Sequence, residues 1–96
     1  MIADGHIGWK KAIILLDIGI EGTNHLSIDF ESVHNLITYK YEESVSISMA
    51  TKGSKTSSHY WTVQTVQFDN RQKIKIRFDI ALLSIDKDTI LGMQFL

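Results

Sequence analysis

Short apolar segments separated by turn-forming residues follow one another along most of this 96-residue chain. Residues 12–16 are five consecutive apolar side chains, whereas apolar side chains alternate with serine in residues 45–49. A continuous apolar run is typical of a strand buried on both faces, and alternation is typical of a strand buried on one. Several short strands at close spacing favour an all-β sandwich or barrel. The length predicts a single domain over residues 1–96.

The pattern predicts one helix among these strands. Ser27 is a suitable N-cap for a helix in residues 27–36, because Phe30, Val33 and Leu36 then recur at helical spacing. The polar residues 51–58 are typical of a hairpin tip or loop. Strands are predicted in four segments, residues 10–16, 45–49, 60–68 and 71–83.

Composition excludes several kinds of site. The chain has no cysteine, so it forms neither a disulfide nor a thiolate metal site. Its four histidines are scattered, with no pair at helical metal-binding spacing. The net charge of −1 gives no overall attraction to nucleic acid or to an anionic membrane. The longest apolar run is far shorter than the roughly 20 residues that cross a membrane. We therefore expect no metal, no cofactor and no membrane partner.

One face of the predicted strand 71–83 carries four cations, Arg71, Lys73, Lys75 and Arg77. Such a row could follow a phosphate backbone. The simpler interpretation is a solvent-exposed face, on which lysines also discourage edge-to-edge pairing. No aromatic residues interleave with these cations along the sequence to stack on bases. Nucleic acid is therefore the less favoured partner.

Asp17 ends the apolar run of residues 12–16 and is followed by Gly19. A carboxylate at the edge of an apolar core is costly unless it is paired or hydrogen-bonded. Asp and Gly are common in turns, so a turn is the simplest interpretation. A second apolar segment near the C-terminus ends in Gly92, and two such strands could lie side by side with closely approaching backbones. That arrangement would give the carboxylate a fixed position.

In this order of motifs the chain resembles the retropepsin-like aspartic proteases of gypsy-type retrotransposons, a retroviral-type family. The family has an apolar strand running into Asp-Ser/Thr-Gly, a polar turn with a short helix, a flap hairpin and a closing Leu-Gly-Met segment. The corresponding segments here are AIILLDIGI, EGTNHLS with IDFESVHNL, SISMATKGSKTSS and DTILGMQFL. The last is the most specific, and the resemblance covers about residues 10–96.

The resemblance implies a mostly β acid protease fold. This fold is a closed β-barrel or sandwich with one or two short helices and a flap hairpin at about residues 45–66. The implied function is that of an aspartic endopeptidase of retroelement origin, which hydrolyses the gag-pol polyprotein that contains it. The implied partners are a second copy of the chain, in a homodimer, and an extended peptide substrate. The implied location is intracellular, in a cytoplasmic retroelement particle.

The resemblance also implies the site residues. Each chain of the homodimer would contribute Asp17 to a catalytic pair that shares one proton and activates a water molecule. The active-site loop would contain Ile18, Gly19 and Ile20, and Gly92 would be a structural glycine near it. The flap residues that would cover an extended peptide are Ala50, Thr51, Lys52, Gly53, Ser54 and Lys55.

Departures from the family pattern leave other functions open. Ile18 stands where the family has Ser or Thr, whose hydroxyl braces the two active-site loops across the dimer, and isoleucine cannot do so. Glu21 and Gly22 resemble a two-residue insertion. Family members usually continue past the position of Leu96, so the domain could be truncated at its C-terminus. The first alternative is a non-catalytic retropepsin-like module for dimerisation or peptide binding. The second is a nucleic-acid-associated retroelement fragment that uses the row of cations.

Overall fold

Seven strands and one helix make up the part of the chain that the structure, a computed structural model, describes. The described residues are 2–17, 24–48, 55–68, 72–83 and 87–92. The elements in chain order are β1 Ile2–Ile7, β2 Lys10–Asp17, β3 His25–Ser27, α1 Ile28–His34, β4 Tyr39–Ser48, β5 Lys55–Phe68, β6 Ile74–Ala81 and β7 Thr89–Gly92.

Six of the strands close into a barrel. Their order around it is β1-β2-β7-β3-β6-β5, and β5 pairs again with β1. The pairs β2–β7 and β3–β6 are parallel, and the other pairs are antiparallel. At 14 residues, β5 is long enough to pair with β4 along its first half and with β1 at its end. The expectation of a mostly β, closed barrel with a short helix is confirmed.

One face of each barrel strand fills the interior. Ile14 of β2 is fully buried, whereas its neighbour Ile13 is 41 % exposed. The expectation that residues 10–16 are buried on both faces is therefore wrong at Ile13, because a barrel strand turns one face inward and the other outward. The main core cluster consists of Ile7, Ala12, Ile14, Leu16, Leu26, Phe30, Val66, Ile76, Phe78 and Leu91.

The helix α1 begins at the N-cap that the sequence predicts. The Ser27 hydroxyl oxygen accepts a hydrogen bond from the Asp29 backbone N–H at 3.1 Å. The helix ends at Asn35, which adopts the left-handed conformation with φ 51°. Phe30 packs into the barrel core, but Val33 is exposed because only one side of this short helix contacts the barrel. Within the described residues, no helix is both long enough and apolar enough to cross a membrane.

The strands β4 and β5 form an antiparallel ladder that fits the hairpin predicted at about residues 45–66. Its register runs from Tyr39 opposite Trp61 to Ser48 opposite Lys55, with an irregularity between Lys40 and Val45. The strand β4 begins six residues earlier than the segment 45–49 predicts. The predicted flap residues 50–54 lie outside the described residues, and Lys55 is the first residue of β5.

Candidate functional site

The end of β2 carries Asp17 beside the end of β7. The two strands are parallel, and their register sets Asp17 opposite Gly92. The fold thus brings together the backbones of the two residues that end the apolar segments in the sequence. The catalytic role of Asp17 remains a prediction. The residues predicted to form the active-site loop, 18–20, lie outside the described part of the chain.

Gly92, which pairs with Asp17 of β2, is also hydrogen-bonded to Asn24. The Asn24 side-chain Oδ1 accepts a hydrogen bond from the Gly92 N–H at 3.1 Å. Its Nδ2 donates to the Arg77 carbonyl at 3.4 Å, and its own carbonyl accepts from the Asp79 N–H at 2.9 Å. Because Asn24 is buried, water cannot replace these bonds. Asn24 therefore holds the end of β7 against β6, and with it the residue opposite Asp17.

Asp88 joins the beginning of β7 to β2 and β3. Its Oδ2 accepts from the Ile13 N–H at 2.7 Å, and its own N–H donates to the Ile13 carbonyl at 2.9 Å. The Asp88 carbonyl accepts from the Ser27 N–H at 2.8 Å. The next residue, Thr89, is fully buried, and its hydroxyl donates to the His25 carbonyl at 2.5 Å. The segment DTILG is therefore fixed at both ends, and its acid has a structural role in this fold.

A second apolar cluster lies beside the strand ends that carry Asp17 and Gly92. Leu15 and Ile90, which are opposite each other in the β2–β7 ladder, both belong to it. Ile47, from the far part of the β4–β5 hairpin, is buried in the same cluster. The remaining members are Ala81 and Leu83. The hairpin therefore packs over the surface next to the end of β2.

His25 is a fully buried histidine next to this cluster. Its register neighbours are Asp79 on β6 and Ile90 on β7. Among the residues that the structure describes, neither ring nitrogen has a hydrogen-bond partner. Burial lowers the pKa of His25 because the imidazolium would be desolvated, and the negative charge of Asp79 acts in the opposite direction. The ring is therefore neutral at neutral pH.

The predicted row of cations lies on one face of β6. Lys73, just before β6, and Lys75 and Arg77 within it are exposed, whereas Ile76 and Phe78 on the opposite face are buried. Ile74, between Lys73 and Lys75, is 40 % exposed. The alternation of exposed cations with buried apolar residues is thus present from Lys75 to Phe78, and Arg71 lies outside the described residues.

Tyr41 connects this row to Asp79. Its hydroxyl donates to the Asp79 carboxylate and accepts from Arg77 Nη2 at 3.0 Å. Burial, together with the hydrogen bond to Asp79, raises the pKa of Tyr41. The phenol is therefore protonated at neutral pH and serves as a donor.

Two residues of this region have no motif in the sequence that indicates their roles. Asn24 belongs to a polar segment of the sequence, and nothing in that segment distinguishes its role from that of a neighbouring Ser or Thr. His25 is one of four scattered histidines. Both roles come from contacts with β6 and β7, more than 50 positions away along the chain. In the described part of the chain, no three His, Cys, Asp or Glu side chains come together as metal ligands.

Comparisons with known proteins assign no family to this chain. It matches no protein-family model, and comparisons with the curated proteins and with the solved structures found no match. The functional proposal is therefore supported by the residues and by their arrangement in the fold.

Proposed function

We propose that this protein is a retropepsin-like aspartic endopeptidase of retroelement origin that hydrolyses the polyprotein containing it. The observation that carries the proposal is the β2–β7 pairing, which sets Asp17 opposite Gly92 at the ends of two apolar strands. The Asp-x-Gly motif begins at Asp17, the last residue of β2, and the Leu-Gly-Met motif begins at Leu91 in β7. On this proposal, the protein acts inside the cell, in a cytoplasmic retroelement particle.

Two further features support the proposal. The chain forms a closed barrel with a long hairpin, β4–β5, attached to it. Ile47 of this hairpin packs in one cluster with Leu15 and Ile90, which precede Asp17 and Gly92 by two residues each. A hairpin that packs beside the Asp-bearing strand is suited to enclosing an extended peptide, which would add to the hairpin as a further strand.

The proposed mechanism needs two copies of the chain, each contributing Asp17. Two adjacent carboxylates cannot both ionise easily, so the pair shares one proton. The charged carboxylate takes a proton from water, and the water oxygen attacks the scissile carbonyl carbon. The protonated carboxyl donates to the carbonyl oxygen as it becomes negative. The C–N bond breaks when the leaving nitrogen takes a proton from the pair.

Ile18 removes the hydroxyl that braces this pair in the family. In this chain, the β2–β7 ladder and the bond between Asn24 and the Gly92 N–H stabilise the strand ends instead. Geometry within a fraction of an ångström matters for such a site, so on this proposal the activity depends on how well these contacts hold the strand ends.

Peptide cleavage tests the proposal directly. The purified chain is incubated at mildly acidic pH with a mixed peptide library, beside the Asp17→Asn variant, and products are identified by mass spectrometry. Sedimentation of the same samples establishes whether each protein is a folded dimer. We expect cleavage by the parent and none by Asp17→Asn. Equal cleavage by both proteins would contradict a role for Asp17.

Ile18 favours a second candidate function, a non-catalytic module that dimerises or binds extended peptides. This candidate predicts a folded dimer that cleaves nothing and whose peptide binding is the same in Asp17→Asn. The variant Ile18→Thr separates the two functions further. If the parent is inactive and Ile18→Thr cleaves peptides, the missing hydroxyl is the reason for the lost activity.

A further inference from the structure

One face of β5 and β6 turns away from the barrel interior. Three pairs of its residues lie opposite each other in the antiparallel ladder. They are Thr65 with Lys75, Val63 with Arg77, and Trp61 with Asp79. Opposed residues of a ladder lie on the same side of the sheet. Tyr39 of β4 is opposite Trp61, and Lys73 precedes Lys75 by two positions. We call these eight residues the outer face.

Aromatic rings lie against the cations at one end of the outer face. The rings of Tyr39 and Trp61 stack with centroids 4.6 Å apart. The Arg77 guanidinium carbon lies 4.1 Å from the Trp61 ring centroid. Tyr39 is 50 % exposed, so part of its ring is open to solvent. The rings of Tyr39 and Trp61 line a groove of about 510 Å³, and Lys10 lines it as well.

A second pair of cation and aromatic ring lies at the other end. Lys73 Nζ is 3.9 Å from the Trp9 ring centroid, and Trp9 is 83 % exposed. The turn that carries Trp9 is held against β5 by the Gly8 N–H, which donates to the Thr65 carbonyl at 2.7 Å. From position 73 to position 77 a strand rises about 13 Å. Both tryptophans of the chain therefore lie along one cationic row of that length.

The charge of the outer face suits a polyanion. Lys73, Lys75 and Arg77 supply three positive charges, although the whole chain has a net charge of −1. Among the described outward positions of β5 and β6, Asp79 is the one acid, and its carboxylate is occupied by the Tyr41 hydroxyl. Phosphates pair with such cations, and bases stack on exposed aromatic rings with little sequence preference. An apolar peptide would leave the cations unpaired.

We propose that the outer face binds a short stretch of single-stranded nucleic acid. Phosphates pair with Lys73, Lys75 and Arg77, and bases stack on Trp9 and Tyr39. The aromatic residues that the sequence lacks between its cations are supplied by neighbouring strands and by a turn. Asp17 lies on β2, which β7 and β3 separate from β6 in the barrel. The proposal is therefore independent of proteolysis.

Fluorescence anisotropy with dye-labelled 12-nucleotide oligouridylate and oligodeoxythymidylate tests the cations. At low salt we expect saturable binding that weakens as salt rises, because bound counterions are released. Lys75→Gln should weaken binding several-fold and reduce the slope of log K against log salt by about 0.7. The matched control is Lys40→Gln, since Lys40 is exposed but is opposite Tyr60 and not on the outer face. It should bind as the parent does.

Two Trp9 variants test base stacking. Trp9→Ala should weaken binding about tenfold or more, in keeping with the loss of one stacked base. Trp9→Phe, which keeps an aromatic ring, should bind nearly as the parent does. In Trp9→Phe, Trp61 is the one remaining tryptophan, and we expect its fluorescence to be quenched by the oligonucleotide. Thermal melting should match the parent in both variants, because Trp9 is largely exposed.

Three outcomes would overturn the proposal. The first is the absence of binding to both oligonucleotides at low salt. The second is an equal loss of affinity in Lys40→Gln and Lys75→Gln, which would indicate general electrostatic attraction. The third is equal affinity for a duplex of the same length, or for an acidic peptide of the same charge, without quenching of tryptophan fluorescence. The third would mean that the aromatic rings do not stack on bases.

Discussion

At the scale of single residues, Asn24 is the side chain on which the end of β7 depends most directly. In Asn24→Ala the buried Gly92 N–H and the Arg77 carbonyl both lose a partner. A buried group left unpaired costs about 1–3 kcal/mol, so we expect the free energy of unfolding to fall by about 2 kcal/mol. Urea denaturation measures this change.

The control for this variant is Gln72→Ala, which removes an exposed amide. Its effect should stay within about 0.5 kcal/mol, as for most surface substitutions. Equal stability of Asn24→Ala and Gln72→Ala would show that Asn24 does not hold the strand end.

His25 should make the fold sensitive to acid. Its pKa in the folded protein lies below the ordinary value of 6.5, which applies when the chain is unfolded. The unfolded chain therefore takes up the proton first as the pH falls, and the stability present above pH 6.5 decreases below it. We expect His25→Leu to flatten this dependence between pH 8 and pH 5 while it keeps most of the stability at neutral pH.

Urea midpoints across this pH range provide the measurement. The exposed His59 supplies the matched control, and His59→Gln should leave the parent's pH dependence unchanged. If His25→Leu and the parent lose stability equally toward acid, another group is responsible for the acid sensitivity.

At the scale of the elements, α1 depends on its cap. A helix of seven residues is too short to be stable alone. The bond from the Asp29 N–H to the Ser27 hydroxyl and the burial of Phe30 hold it in place. Ser27→Ala should cost about 1 kcal/mol of stability, and Ser27→Thr should recover most of it. Chemical denaturation measures both, with Ser44→Ala on the exposed part of β4 as a control.

The elements also show how far local sequence predicts this fold. The strand β2 and the cap at Ser27 follow from patterns within a few residues, and the structure confirms both. The first half of β4 carries no clean alternation, and it becomes a strand because β5 pairs with it. The exposure of Ile13 and the burial of His25 likewise depend on which strands become neighbours. The local sequence does not encode that choice.

At the scale of the whole molecule, the proposed homodimer should respond to pH through Asp17. Two facing carboxylates repel each other when both are ionised, so acid should tighten the dimer and rising pH should loosen it. Asp17→Asn should remove this dependence. Sedimentation at several pH values measures it, with protein concentrations near the dissociation constant. A dimer equally tight at every pH in both proteins would speak against a close pair of Asp17 side chains.

The position of β7 in the barrel has a consequence for how the protein is made. This strand pairs with β2 in parallel, and the bond between Asp88 and Ile13 joins residues 75 positions apart. Such a long-range pairing needs closure of a large loop and forms slowly. On the ribosome, β2 emerges long before its neighbour. Asp17 therefore acquires its neighbour Gly92 only after residues 89–92 have been synthesised, and a nascent chain that has made β2 alone lacks the β2–β7 pairing.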